Sequence, residues 1–333
     1  MFSNDESPVF NYVAIVQALE ESVRRNLTEG LLLSGGLDTS IMAYLISKWV
    51  KPECITVALR GAPAPDVEYA IQVARHLGLK HHIHYFGDEE LDENIRDVIR
   101  IMKAFDPMGV RNDLAVYIAL KFGREMGISS FMTGDGGDEL FGGYSFLFGL
   151  TKKQLGIALK KLWSSMRFSS VCLAKNLGVE TRLPFLDSQF KALAMDLEVG
   201  LKVKEERGRV WGKWVLRKAF ENIVPQEIVW RIKAPIEVGT GTTVLPSLFN
   251  SRISDLEFSE KKMRYFNEDR VVIRSKEHLF YYEIYRDMIG VPYMNAGKAK
   301  TCPDCGSNVE EGTSFCRTCG AYPIEPRQES LTS

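Results

Sequence analysis

The sequence predicts an α/β protein: a doubly wound parallel sheet, a mostly helical second half and a small cysteine-rich C-terminal segment. Three observations predict it. Short apolar runs alternate with amphipathic stretches from Val13 to Thr133, the pattern of a parallel sheet with helices on both faces. From Thr151 the strand signals fade, and helical periodicity dominates to about Gly290. Cys302, Cys305, Cys316 and Cys319 then crowd into one short stretch, apart from the isolated Cys54 and Cys172.

The elements follow in order. Val13, Val16, Leu19, Val23 and Leu27 recur at helical spacing and mark a first amphipathic helix. Leu31-Leu32-Leu33 reads as a buried strand, followed by a helix from Asp38 to Val50 that stops before Pro52. Cys54 to Leu59 is a second strand and Asp66 to Gly78 the helix after it. Lys80 to Phe86 is a third strand. Its His82 and His84 share one face and lack evident carboxylate partners, so they read as sheet packing rather than metal ligands. Helices over Leu91 to Lys103 and Asp113 to Met126 lead to a fourth strand, Ser130 to Thr133. The aromatic stripe from Glu277 to Tyr285 reads as core or interface. The expected divisions are 1–150 for the sheet half, 151–296 for the helical half, 301–321 for the cysteine segment and 322–333 for a disordered tail. Gly297 to Thr301 reads as a linker.

Composition narrows the function classes. The 333 residues carry 42 Lys and Arg against 43 Asp and Glu, a formal charge of −1, which excludes the strong basic field of a dedicated nucleic-acid binder. No uncharged apolar run approaches the roughly 18 residues of a membrane span, and MFSNDESPVF lacks the basic and apolar regions of a signal peptide. The expected compartment is the cytoplasm. There, cysteines serve as metal ligands or buried thiols rather than disulfides.

Two segments carry chemistry. Ser34-Gly35-Gly36-Leu37-Asp38-Thr39-Ser40 joins a strand to a helix start, so its backbone N–H groups and the helix dipole favour an anion such as phosphate. Asp38 would repel a bare phosphate, which implies an intervening Mg²⁺. The same residues also fit a plain tight turn capped by Asp38. The second segment, Thr133-Gly134-Asp135-Gly136-Gly137-Asp138-Glu139, follows the fourth strand, at a carboxyl end of the sheet where open α/β folds bind ligands. Its composition alone also fits an acidic surface turn. The chain has neither G-x-x-x-x-G-K-[ST] nor G-x-G-x-x-G.

Ser34 to Ser40 resembles the pyrophosphate loop (PP-loop) of the N-type ATP pyrophosphatases. Gly134 to Tyr144 resembles the second signature of the asparagine synthetase group. Asn176 to Asp187, Lys213-x-x-Leu216-Arg217-Lys218-Ala219-Phe220 with Pro225, and Arg231-Ile232-Lys233 agree in order and spacing. The match covers about residues 10 to 290 and resembles the synthetase domain of glutamine-dependent asparagine synthetases.

The resemblance implies roles. Ser34, Gly35, Gly36, Leu37, Asp38, Thr39 and Ser40 would cradle the pyrophosphate of ATP, and Asp38 with Asp138 would share Mg²⁺. Val57, Thr133 and Gly134 would hold the adenosine end. Lys233, Asp135 and Arg111 would act on the reacting groups, and Arg182 with Asp187 would shape the acceptor side. The implied reaction is an AMP-forming amide ligation of a carboxylate, aspartate in the simplest case. Rival readings are an adenylating enzyme that modifies tRNA or another metabolite, and a non-catalytic ATP-sensing scaffold.

Three departures qualify it. The chain begins Met1-Phe2 and its first cysteine, Cys54, lies in a strand. A glutaminase domain is therefore expected to be missing, with ammonia arriving free or from a separate glutaminase. Asp135 stands where well-known members carry Glu, one methylene longer. Last, Cys302-x-x-Cys305-Gly306 and Cys316-x-x-Cys319-Gly320 make four thiolates suited to tetrahedral Zn²⁺, a zinc ribbon, with a disulfide set as the alternative. So small a segment has almost no core, so the ribbon is expected to be a detachable module for a protein partner or for self-association.

Overall fold

Five parallel strands form the centre of the computed structural model, which describes residues 12–292, 300–310 and 313–324. They are β1 (Gly30–Leu32), β2 (Glu53–Leu59), β3 (His81–Phe86), β4 (Ser130–Met132) and β5 (Glu180–Arg182), in the order β3-β2-β1-β4-β5. The helices between them are α1 (Tyr12–Arg25), α2 (Leu37–Ser47), α3 (Pro65–Leu77), α4 (Asp88–Met102), α5 (Pro107–Glu125), the short α6 (Gly137–Phe141), α7 (Lys152–Ser164) and α8 (Ser169–Leu177). After β5 come α9 (Ser188–Asp196), the hairpin β6 (Val203–Glu206) and β7 (Arg209–Gly212), then α10 (Trp214–Phe220), α11 (Gln226–Val229) and α12 (Ile236–Thr240). Next are α13 (Leu245–Arg252), α14 (Asp255–Asp269) and α15 (Lys276–Met288), then a two-stranded β8 (Lys300–Thr301) and β9 (Asn308–Val309).

Strand alternation divides the core between two faces. Leu31, Leu33, Cys54 and Met132 pack with α1, α2, α3 and α10 on one side. Ile55, Val57, Leu59 and Phe131 pack with α4, α5, α8 and α15 on the other. The sheet is therefore doubly wound, with β1 and β4 side by side where the strand order reverses direction. The aromatic stripe lies in α15, where Tyr281 and Tyr282 are fully buried. No helix among the described residues is long and apolar enough to cross a membrane.

The second half is mostly helical, as expected, and within it β5 extends the sheet and β6–β7 forms a separate hairpin. The structure corrects several expectations. α5 begins at Pro107, because the Asp106 carboxylate caps it by accepting from Met108 N at 3.3 Å and Gly109 N at 3.0 Å. Arg111 therefore sits inside a helix rather than before one. His82 and His84 do have carboxylate partners, Glu53 at 2.5 Å and Glu90 at 3.2 Å.

The cysteine segment is docked, not detached. Its four cysteines, Val309, Ala321 and Ile324 are buried in the same core as Phe105, Tyr282 and Tyr285. Phe105 N donates to Thr318 O at 2.7 Å and Val272 N to Asp304 O at 2.7 Å. Ile324 is buried, so order extends into the expected tail; residues 325–333 and most of the expected linker lie outside the described residues.

Candidate active site

The loop after β1 is shaped by its own small side chains. Ser34 Oγ accepts from Gly36 N at 3.2 Å, and Thr39 Oγ1 accepts from Ser34 N at 3.2 Å. Gly35 turns with φ +65°, where any Cβ would collide with the backbone of Tyr69 and Ala70 within α3. Gly36 is the N-cap of α2 and makes no side-chain cap, so the first N–H groups of that helix remain available to an anion. Leu37 and Ser40 are buried behind the loop. Arg231 fastens it from outside: its guanidinium stacks 3.9 Å over Tyr69, pairs with Asp66 at 2.6 Å and donates to Ser34 O at 3.3 Å.

The loop after β4 comes directly against this one. A Cβ on Gly134 would lie 2.9 Å from Asp38 Cβ, and one on Gly137 would lie 2.8 Å from Asp38 Cγ. Only glycine permits so close an approach. Asp138, in the first turn of α6, thereby faces Asp38 across the ammonium of Lys213. The ammonium of Lys213 pairs with Asp38 and lies 2.7 Å from Asp138 Oδ1. Lys233 Nζ reaches the same oxygen at 2.8 Å and sits 4.2 Å over the Tyr144 ring.

The charges are unequal. Burial pushes the Asp38 carboxyl up, with Lys213 opposing it. Asp138 is buried too, but Lys213 and Lys233 together hold it below the usual carboxylate range. Asp38 Oδ1 is buried and has no hydrogen-bond partner. A hard divalent cation fits that donor set, two converging carboxylates with one oxygen uncommitted.

Asp135 lies deeper. Its Oδ2 accepts from Thr133 Oγ1 at 2.9 Å and from Ser170 Oγ at 2.5 Å, and burial raises its pKa. Asp113, in α5, is hydrogen-bonded by Ser169, the neighbour of Ser170, and is pushed up to about 6 by burial.

The sequence-based candidates therefore divide. Ser34, Gly35, Gly36, Asp38, Thr39, Thr133, Gly134, Asp135, Asp138 and Lys233 converge on the crevice at the β1–β4 carboxyl ends, whereas Leu37 and Ser40 are buried behind the loop. Val57 is buried in β2, two residues from its end. Arg111 does not join the Asp38–Asp138 cluster; it pairs with the buried Glu277 at 2.9 Å. Asp187 caps α9 and pairs with Arg25 at 2.6 Å, and the Arg182 side chain pairs with Glu180 at 2.9 Å, so neither side chain reaches the crevice. Arg182 contributes its backbone, accepting from Thr133 N at 3.1 Å. Sequence reasoning assigned no role to Lys213, Arg231, Asp66, Asp113 or Ser170; the Lys213 and Arg231 motifs were visible, but not what those side chains touch.

The four C-terminal cysteines form a second centre. Their sulfurs lie within 4.8 Å of one another, with Cys302–Cys319 and Cys305–Cys316 each at 3.7 Å. Metal–sulfur bonds of about 2.3 Å in a tetrahedron place sulfurs about 3.8 Å apart, so the set fits one metal ion.

The chain is similar to known proteins over most of its length. The asparagine synthase family profile matches residues 14–171 and 173–293. Asparagine synthetase B (glutamine-hydrolyzing) of Escherichia coli K12 is 32% identical over 305 residues, 83% of this chain and 53% of that protein. A probable glutamine-hydrolyzing asparagine synthetase of Dictyostelium discoideum is 28% identical over 304 residues, 82% of this chain and 54% of its own length. The chain thus spans about half the length of these relatives. Among solved structures, an NH3-dependent NAD synthetase from Campylobacter jejuni aligns over 51% of this chain and 93% of its own, with a TM-score of 0.32 at 16% identity. The cysteine segment lies beyond the matched region. On the strength of the profile, which spans the sheet, both loops and the helical half, the chain belongs to the asparagine synthase family.

Proposed function

We propose that these residues carry out an ATP-dependent, AMP-forming amidation, with aspartate as the carboxylate and ammonia as the nitrogen donor. One observation carries it: two glycine loops at the β1–β4 crevice press Asp38 and Asp138 together under two ammonium groups. That arrangement suits the triphosphate of ATP, whose negative charge the lysines and loop N–H groups would neutralise. Mg²⁺, held by Asp38 and Asp138, would supply further charge neutralisation on the leaving pyrophosphate.

In the first step a carboxylate oxygen attacks the α-phosphorus, and the bond to pyrophosphate breaks. Lys233, movable from Asp138 onto the α-phosphoryl oxygens, stabilises the charge that builds there. In the second step ammonia attacks the acyl carbon, AMP leaves with the bonding electron pair, and the amide nitrogen sheds a proton. Asp135, pushed up by burial and held by two hydroxyls, would take that proton. The four thiolates would hold a structural Zn²⁺, a closed set with no open position for substrate. Such thiolates persist in the reducing cytosol. A carboxylate acceptor rather than RNA is supported by the docked ribbon, where Arg317 donates to Ser165 O at 3.0 Å and Glu310 pairs with Arg167 at 2.5 Å.

The test supplies the purified chain with Mg-ATP, a panel of carboxylates, and either ammonium or glutamine, and measures AMP, pyrophosphate and amide. Aspartate with ammonium is expected to yield all three, and glutamine alone no amide. Pyrophosphate release with a different acceptor only, or with none of the panel, overturns the assignment.

A further inference from the structure

The ribbon grips the two helices that stand behind the acidic wall of the site. On one side, Phe105 N donates to Thr318 O at 2.7 Å, and Gly320 lies so close to Asp106 that any Cβ there would collide with its carboxylate. Asp106 is the cap of α5. On the other side, Arg274 pairs with Asp304 at 2.7 Å and donates to Cys319 O, while Val272 N donates to Asp304 O at 2.7 Å. Arg274 stands just ahead of α15.

The two gripped helices are tied together by Arg111 and Glu277 at 2.9 Å, a pair in which Glu277 is 3% exposed and also accepts from Tyr281 Oη at 3.0 Å. The first turns of α5 then reach the site. Asn112 Oδ1 accepts from Glu237 N at 3.1 Å, in the α12 segment that follows Lys233. Asp113 is hydrogen-bonded by Ser169, whose neighbour Ser170 holds Asp135. An unbroken series of packed groups thus runs from the second cysteine knuckle to Asp135.

We propose that the metal-bound ribbon is a positioning element for the acceptor side of the active site, fixing the first turns of α5 and, through Asp113 and Ser169, the adjacent Ser170 hydroxyl that holds Asp135. The pyrophosphate loop is fastened by Arg231 and Asp66 and is reached from α5 only one step later, through Asn112, Glu237 and α12. The ribbon's influence is therefore selective: acceptor side, not nucleotide side. The kinetic arm of this proposal rests on the ligase reading above, whereas its structural arm does not.

The test uses the full chain with Arg274→Met, which removes the grip on Asp304 and Cys319, and Arg274→Lys, which keeps the pair with Asp304. Metal content, backbone hydrogen exchange and steady-state kinetics are measured on each. Arg274→Met is expected to retain one metal per chain, to speed exchange at least tenfold across residues 106–113, and to leave residues 34–40 unchanged. The acceptor KM should rise five- to tenfold with the KM for ATP unchanged, and Arg274→Lys should restore most of both effects. Equal loosening of residues 34–40 and 106–113, or no change at 106–113 with the metal retained, overturns the proposal. If the parent chain turns over none of the acceptors, the ligase reading fails, and the exchange pattern alone still decides this one.

Discussion

Lys213 is the residue on which the site's charge balance depends. It holds a left-handed backbone conformation (φ +55°) that costs a non-glycine residue energy, and it spends its buried ammonium between Asp38 and Asp138. Removing it by Lys213→Met would leave two buried carboxylates short of a cation, so unfolding in urea should show a loss of about 3 to 5 kcal/mol. An unchanged stability would mean that the carboxylates do not need the lysine. Asp38→Asn and Asp138→Asn should instead leave a folded chain that forms no AMP. Because both serve one ion, the double substitution should be barely worse than either alone. Turnover surviving in either single variant would contradict a shared metal. The loops themselves were legible because glycine, serine and aspartate at short spacing announce a phosphate turn. Lys213 was not, since it meets Asp38 across 175 residues, and no local pattern encodes such a contact.

The same division between local and distant runs through the elements. β2 is buried along nearly its whole length and reads as a continuous apolar run. β5 is three polar residues, Glu180-Thr181-Arg182, at the exposed edge of the sheet, so it has neither apolar content nor alternation to reveal it. α5 begins early because Asp106 and Pro107 supply a cap and a first-turn proline, a start signal distinct from the apolar periodicity that places its middle. Between elements, Lys202 joins α6 to α9. Its buried Nζ donates to Leu140 O at 2.9 Å and to Ala194 O and sits 4.7 Å over Trp163, with no carboxylate beside it. Burial lowers its pKa to about 8 from 10.5. Below pH 8 the group is charged in both folded and unfolded chains, and the folded state bears the cost of a buried charge. Between about pH 8 and 10.5 the folded chain has released the proton while the unfolded chain still holds it, so this group makes stability rise with pH. The gain is up to about 3 kcal/mol. Wild type should therefore gain on Lys202→Met as pH goes from 7 to 10, measured by urea unfolding at each pH. A constant difference would show that Lys202 stays charged in the fold.

At the scale of the whole molecule, the cysteine segment changes what the chain is. A segment with four cysteines and few apolar residues reads as a module, because nothing in its own sequence states what it leans on. Its support comes from elsewhere: Phe105, Val271, Ile273, Tyr282 and Tyr285 are buried in the core that also takes in the four cysteines, Val309, Ala321 and Ile324. A metal that orders the segment therefore orders part of the main core, and binding energy becomes folding energy for both. Chelation should then lower the melting temperature of the sheet domain itself, in one transition seen alike by near-ultraviolet dichroism and by thiol reactivity. Cutting the chain after Gly297 should expose those aromatic and aliphatic groups and yield a destabilised, aggregation-prone protein. The alternative has a distinct signature. If the segment were independent, thiol reactivity would appear at low temperature while the aromatic signal persisted, and the shortened chain would melt where the full chain does. Two separated transitions would refute the single core; one shared transition, shifted downward by chelator and restored by adding zinc back, would establish that the body and the ribbon fold as one.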